Sequence, residues 1–147
     1  MRVIVQRVED AKCVVDGNIT GKIKEGLLLL VGFTEGDDSS KISELAKKIV
    51  NLRIIDDSDG IMNKSILDTN QSVLSISQFT LYADTKKGNR PSYVKAMKSD
   101  EAIILYNKFN DELRKYNVVV ETGKFGSYMD VSISNDGPTT IWLESWE

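Results

Sequence analysis

The chain has 147 residues, 41% hydrophobic and 28% charged, with a net charge of −3. That is room for one domain, residues 1–147, burying roughly two-thirds of its unfolded surface, and the balance excludes a disordered or collagen-like chain. There is no histidine and a single cysteine, Cys13, which excludes Ser-His-Asp and Cys-His nucleophile schemes and a Cys/His zinc site. Chemistry therefore falls to hydroxyls, carboxylates, lysines, backbone groups or the substrate itself, with no metal and no cofactor expected. The longest apolar run, Gly26–Phe33, is too short to span a bilayer. Met1–Val8 alternates around Arg2 and Arg7 with no signal-peptide core behind it. With one unpaired cysteine this points to the cytoplasm, where the sequons at Asn18, Asn63 and Asn70 carry no meaning.

Val3, Val5 and Val8 begin a strand pattern. Cys13–Asp16 and Ile19–Ile23, joined at Gly17-Asn18, read as a hairpin. Leu27–Phe33 is a continuous apolar run, the mark of a strand buried on both faces. Ile42, Leu45, Ala46 and Ile49 keep helical spacing, with Asp38 and Ser39 as caps. Leu52–Ile55 reads as a short strand. The turn Asp56-Asp57-Ser58-Asp59-Gly60 has the composition of a calcium loop. Counting from Gly60, however, puts Ile55 at the first ligand position and Ile66 at the twelfth, so it is a surface turn. Val73–Leu81 reads as a strand. A second helix runs from Asp100 to Lys115, with Ala102, Tyr106, Phe109 and Leu113 on one core-facing stripe. Val118–Glu121, Tyr128–Ser134 and Thr139–Leu143 read as three more strands. The sum is an α/β protein with mixed, largely antiparallel sheets and two main helices.

Three features bear on function. Lys86, Lys87, Arg90, Lys95 and Lys98 fall within residues 86–98, which contain no acid. Against a net charge that disfavours indiscriminate nucleic-acid binding, this is either a solvated face or a local phosphate-contacting patch. Ser77-Gln78-Phe79-Thr80-Leu81 and Asn135-Asp136-Gly137-Pro138-Thr139-Thr140 each place polar groups and irregular backbone beside a strand. A Gly-Pro pair there is costly, since proline removes a ladder donor. Ser92-x-x-Lys95 matches the serine-lysine pattern of penicillin-binding enzymes, but nothing else of that family is present.

Taken together, the two motifs resemble those of the D-aminoacyl-tRNA deacylases. The likeness runs along the whole chain: Gln6-Arg7-Val8, Gly26-Leu27-Leu28, Met62-Asn63, Gly88-Asn89-Arg90-Pro91-Ser92, Thr122-Gly123-Lys124-Phe125 with Met129, and Asn135-Asp136-Gly137-Pro138. Thr139 stands where the family more often has valine. A sister family with relaxed chirality carries different residues in both motifs.

The resemblance implies a layered β/β/α sandwich and a homodimer with its active site at the subunit interface. The expected activity is hydrolysis of the ester joining a D-amino acid, or misplaced glycine, to the terminal adenosine of tRNA. Ser77, Gln78, Phe79 and Thr80 would line the catalytic pocket, and Ala96 a further part of it. Gly137 and Pro138, as a cis peptide lent by the other subunit, would form a chirality-selecting wall buttressed by Arg7. Phe125 and Met129 would flank the adenosine. Lys86, Lys87 and Arg90 would meet acceptor-stem phosphates.

The physics agrees with that division of labour. L and D residues differ by exchange of a hydrogen and a side chain at Cα, and a soft pocket separates compounds differing by a methyl by only about 1–3 kcal/mol. A firm backbone wall discriminates more strongly, and glycine, lacking a side chain, slips past it. With no histidine to act as base, the substrate's 2′-hydroxyl can assist attack, with N–H groups near Phe79 and Thr80 stabilising the oxyanion. Thr80 as a nucleophile lacks an assignable activator; its hydroxyl can equally serve a nearby backbone group. Two other classes compete: an RNA-end-binding or structural dimer without turnover, and a small-molecule esterase.

Overall fold

The computed structural model describes residues 1–145. Its spine is strand β1 (Arg2–Val15), whose alternating burial changes phase at Arg7-Val8. The two halves pair with different neighbours. The first runs antiparallel to β3 (Gly26–Gly32), and the second folds back on β2 (Asn18–Ile23). The hairpin turns on Asp16-Gly17 rather than Gly17-Asn18: both have positive φ, 50° and 79°. That is the twist a two-residue connection between antiparallel strands demands.

Strand β6 (Ser72–Ser77) lies parallel to β3, and β7 (Val120–Thr122) parallel to β6. The order is β2-β1-β3-β6-β7, with β8 (Asp130–Glu144) antiparallel along β1. As the apolar run predicts, β3 is buried on both faces. Leu27, Leu29 and Val31 pack with Val3 and Val5 against helices α1 (Ser39–Asn51) and α3 (Ser99–Arg114). Leu28 turns the other way and, with Leu74 and Ile76, meets Val8, Ala11, Cys13 and Ile23. Two cores with one sheet between them make a helix layer, a central sheet and a folded-over β layer, the expected α/β architecture. Asp38 caps α1 by accepting from the Ser40 and Lys41 N–H groups.

Three further local readings are corrected. Only Ile55–Asp56 (β4) is extended in the Leu52–Ile55 region, paired with β5 (Met62–Lys64). A single helical turn α2 (Ile66–Thr69), with a Ser65/Asp68 capping box, follows it. The strand read over Val73–Leu81 stops at Ser77 and curls into a 3₁₀ turn, Phe79–Tyr82. There the Gln78 N–H still donates to the Val31 carbonyl at 2.7 Å, but a Cβ on Gly32 would stand 2.9 Å from the Gln78 carbonyl oxygen. The missing side chain lets the turn lie on β3. Finally, Tyr128–Ser134 and Thr139–Leu143 belong to one strand, β8, because β1 offers a continuous template on both sides of the Gly-Pro pair. Among the described residues no helix is long and apolar enough to cross a membrane.

Candidate active site

The carboxyl ends of the parallel strands β3 and β6 open into a cleft of about 1080 Å³, the edge at which such sheets commonly bind ligands. Ser77, Gln78, Phe79, Thr80, Ala96, Phe125 and Met129 all line it. One wall is the 3₁₀ turn. The N–H groups of Phe79 and Thr80 stand at its start, where a helix has no internal acceptors, and neither finds an acceptor among the described residues. Gln78 makes no side-chain cap, and the Thr80 hydroxyl takes no backbone partner among the described residues.

The turn is held from beneath by Arg2. Its Nη1 donates to the Leu81 carbonyl at 2.8 Å, and its guanidinium lies 4.4 Å from the Tyr82 ring centroid. Burial pushes the Tyr82 phenol well above its ordinary value, so it remains neutral in this packing.

The facing wall comes from the segment after β7. Phe125 rests against Tyr106 of α3, and Met129 packs on the second core. Several lining residues were given no site role from sequence. Tyr93 meets Phe79 edge to face with centroids 5.1 Å apart; Tyr128 is 95% exposed at the rim; Gln6 lines the cleft from β1. A glutamine in an otherwise apolar alternation was the one legible signal. Exposed tyrosines on loops give none.

Gly137, Pro138 and Arg7 do not line this cleft. Between the β1–β8 pairs Gln6↔Thr140 and Val8↔Asn135, residues Asp136–Thr139 stand opposite Arg7 alone, so the Gly-Pro pair is extruded from the ladder. Its peptide is cis, and both residues are exposed. Gly137 has φ +115°, and a Cβ there would sit 2.6 Å from Thr139 Oγ1 and 3.1 Å from Arg7 Nη2.

The extrusion is braced on every side. Asn135 Nδ2 donates to the carbonyls of Arg7 (2.9 Å) and Thr139 (3.2 Å), and Thr140 Oγ1 donates to the Pro138 carbonyl at 3.0 Å. Arg7 is buried beneath it. Nη1 reaches the Ile54 carbonyl at 2.8 Å and Asp56 at 3.1 Å; Nε pairs with Asp136 at 3.1 Å, without the alignment of a directed hydrogen bond. Two carboxylates and a carbonyl offset the cost of burying this cation.

Lys86, Lys87 and Arg90 also lie outside the cleft, exposed on a loop closed by the Asp84–Ser92 bridge. That loop descends through Tyr93 and Ala96 to the cleft rim. Lys95 is tied back to Asp84 at 3.4 Å. The Asp84 carboxyl is held below its ordinary value chiefly by the Lys86 backbone N–H, then by Lys95. Among the described residues no three acidic or cysteine side chains gather to hold a metal ion.

A sequence model of D-Tyr-tRNA(Tyr) deacylases matches residues 4–144. The chain belongs to the D-Tyr-tRNA(Tyr) deacylase family. It is 52% identical to a D-aminoacyl-tRNA deacylase of Bacillus pumilus (strain SAFR-032) over the full length of both chains. It is 54% identical to one of Bacillus cytotoxicus over 145 residues, 99% of each. Among solved structures, one described as a c-Myc DNA unwinding element binding protein matches at TM-score 0.94 and 39% identity, covering all of both chains. Another, described as a probable eukaryotic D-amino acid tRNA deacylase, matches at TM-score 0.83 over 97% of each chain. At 14% identity the latter speaks to the deacylase fold alone.

Proposed function

We propose that this chain hydrolyses the ester of D-aminoacyl-tRNA, and of mischarged glycyl-tRNA, while sparing L-aminoacyl-tRNA. The observation that carries the reading is the pair of N–H groups of Phe79 and Thr80, without an acceptor among the described residues, on two residues that line the cleft of a chain that holds no histidine. Such a pair suits a developing oxyanion. No protein base is needed on this reading: the 2′-hydroxyl beside the ester is already at the reacting carbonyl and assists the attack of water, so its help carries no entropic cost of assembly. Ser77 and Gln78 orient the ester, Phe125 and Met129 flank the adenosine, and Ala96 lines a further part of the pocket. A cleft of about 1080 Å³ stands at the upper end of the roughly 300–1,000 Å³ typical of small-ligand pockets, room enough for an aminoacyl-adenosine.

The chirality wall is Gly137-Pro138 of a second copy. Supporting this, the pair is extruded, braced by Arg7, and absent from its own chain's cleft. Among the described residues strand β8 pairs only with β1, no residue of it is fully buried, and Trp142 on it is 51% exposed. A long open edge of this kind calls for a cover, and a homodimer provides one. Lys86, Lys87 and Arg90 then meet phosphates of the incoming acceptor stem, in the cytoplasm where charged tRNA resides.

The test is release of amino acid from D-tyrosyl-, L-tyrosyl- and glycyl-tRNA. Loss of the D and glycyl esters with the L ester intact supports the reading. Binding of tRNA or single-stranded DNA without cleavage would replace it with a nucleic-acid-binding role, and cleavage of simple esters with a general esterase.

A further inference from the structure

We propose that Tyr106 and Gly123 are positioning residues that fix the width of the cleft, holding Phe125 and Met129 at a set distance from the Ser77–Thr80 turn through one shared acceptor, the carbonyl of Ser75. The inference rests on the reading of Phe125 and Met129 as the adenosine-flanking wall. Ser75 is fully buried in β6, two residues before the catalytic turn begins. Its carbonyl receives the Tyr106 hydroxyl at 2.6 Å and the Gly123 N–H at 3.4 Å. One oxygen thus ties together the strand that carries the turn, helix α3, and the segment that leads into the far wall.

Each donor continues into one residue of that wall. The Tyr106 ring lies 5.9 Å from the Phe125 centroid at 41°. Tyr106 is 4% exposed, so its hydroxyl would be costly to bury without a partner. A phenylalanine would fill the same core stripe; the hydroxyl is there to reach Ser75. Burial raises the phenol above its ordinary value, which keeps it a donor at working pH. At Gly123 the argument is steric. A Cβ would stand 2.5 Å from Met129 Sδ, 3.0 Å from Ile76 Cδ1 and 3.2 Å from Cys13 Sγ. Met129 keeps its place because Gly123 has no side chain, and the same contact reaches Ile76, next to Ser77.

The experiment compares kcat and KM on D-tyrosyl-tRNA for Tyr106→Phe, Gly123→Ala, Phe125→Ala and the Tyr106→Phe/Phe125→Ala double variant. Tyr106→Phe keeps the ring and releases the tether. It is expected to raise KM by roughly two- to tenfold, the span of one lost hydrogen bond, with kcat unchanged, the signature of lost uniform binding. Gly123→Ala is expected to raise KM in the same way. In the Phe125→Ala background Tyr106→Phe should add nothing, because it acts through that ring. A merely structural role would lower the folded fraction and hence kcat, leaving KM alone. If Phe125→Ala raises KM while Tyr106→Phe does not, or if the two effects multiply, the proposal is overturned. If Phe125→Ala itself leaves KM unchanged, the adenosine assignment fails instead. A crystal structure of Tyr106→Phe then decides the tether: a displaced Phe125 supports it, an unmoved one overturns it.

Discussion

The cleft and the Gly137-Pro138 extrusion are opposites in construction. The cleft is a concavity whose backbone donors at Phe79 and Thr80 have no acceptor among the described residues. The extrusion is a convexity, exposed to solvent, whose carbonyls and flanking side chains are engaged by Asn135, Thr140 and Arg7. One region has room for a substrate and nothing firm to judge its handedness; the other is firm and faces no room of its own. What the contrast teaches is that the open region and the braced one are separate constructions in this fold, carried by different strands. On the proposed reading they would be completed where one copy's extrusion meets another's cleft.

The largest expected effect tests the chemical half. A D-aminoacyl-tRNA with a 2′-deoxy terminal adenosine should be cleaved about 10²–10⁴-fold more slowly, the usual weight of a lost acid–base partner. An unchanged rate would end the RNA-assisted reading. The judging half is tested by Gly137→Ala, which forces a Cβ against Thr139 and Arg7 at a positive φ. Displacing the wall should lower kcat/KM on D-aminoacyl-tRNA by about 10²-fold, the scale of a 1 Å misplacement. Full activity would show that the extrusion is not part of the site.

Smaller effects sharpen the boundary between the two regions. Replacing Lys86, Lys87 and Arg90 together should reduce the salt slope of kcat/KM by about 2 units, each phosphate contact contributing roughly 0.7–0.9; an unaltered slope removes that loop from the tRNA path. Thr80→Ala should remain active within the same order of magnitude. A loss as deep as that of the 2′-deoxy substrate, with tRNA binding intact, would make Thr80 the nucleophile. The smallest effect lies remote from both regions. Hydrogen bonds from the Ser40 hydroxyl and then the Lys41 N–H hold the Asp38 carboxyl below its ordinary value. The stability it adds is full above the ordinary carboxylate value and is lost as pH falls through the lowered one. Thermal melts should therefore show Asp38→Ala below wild type at neutral pH, with the gap closing in acid and neither half of the site affected.

Much of the scaffold was legible because its signals are local. Leu27–Val31 reads as a doubly buried strand from composition alone, and Ile42, Leu45, Ala46 and Ile49 announce α1 with Asp38 before it. What could not be read depends on distant partners. Phe79 and Leu81 continue the alternation of β6, yet the chain curls there into a turn packed on Gly32 and held by Arg2, both distant in sequence. The Gly-Pro pair punctuates the sequence so strongly that β8 reads as two strands, whereas β1, more than a hundred residues away in sequence, pairs with both halves. The capping box of α2, Ser65 with Asp68, is by contrast a local signal that the sequence carries in plain view. Of the site, the motif residues were accessible through family likeness. Tyr93 and Tyr128 were not, since an exposed ring on a loop follows no periodicity.

The excursion at Asp136–Thr139 begins and ends on intact pairing with the same neighbour strand. A detour splinted at both ends stays local: the hydrogen-bond ladder keeps its alignment on either side of it. On the proposed reading, substitutions among these few positions would alter which substrates are turned away without shifting the register of β1 against β8.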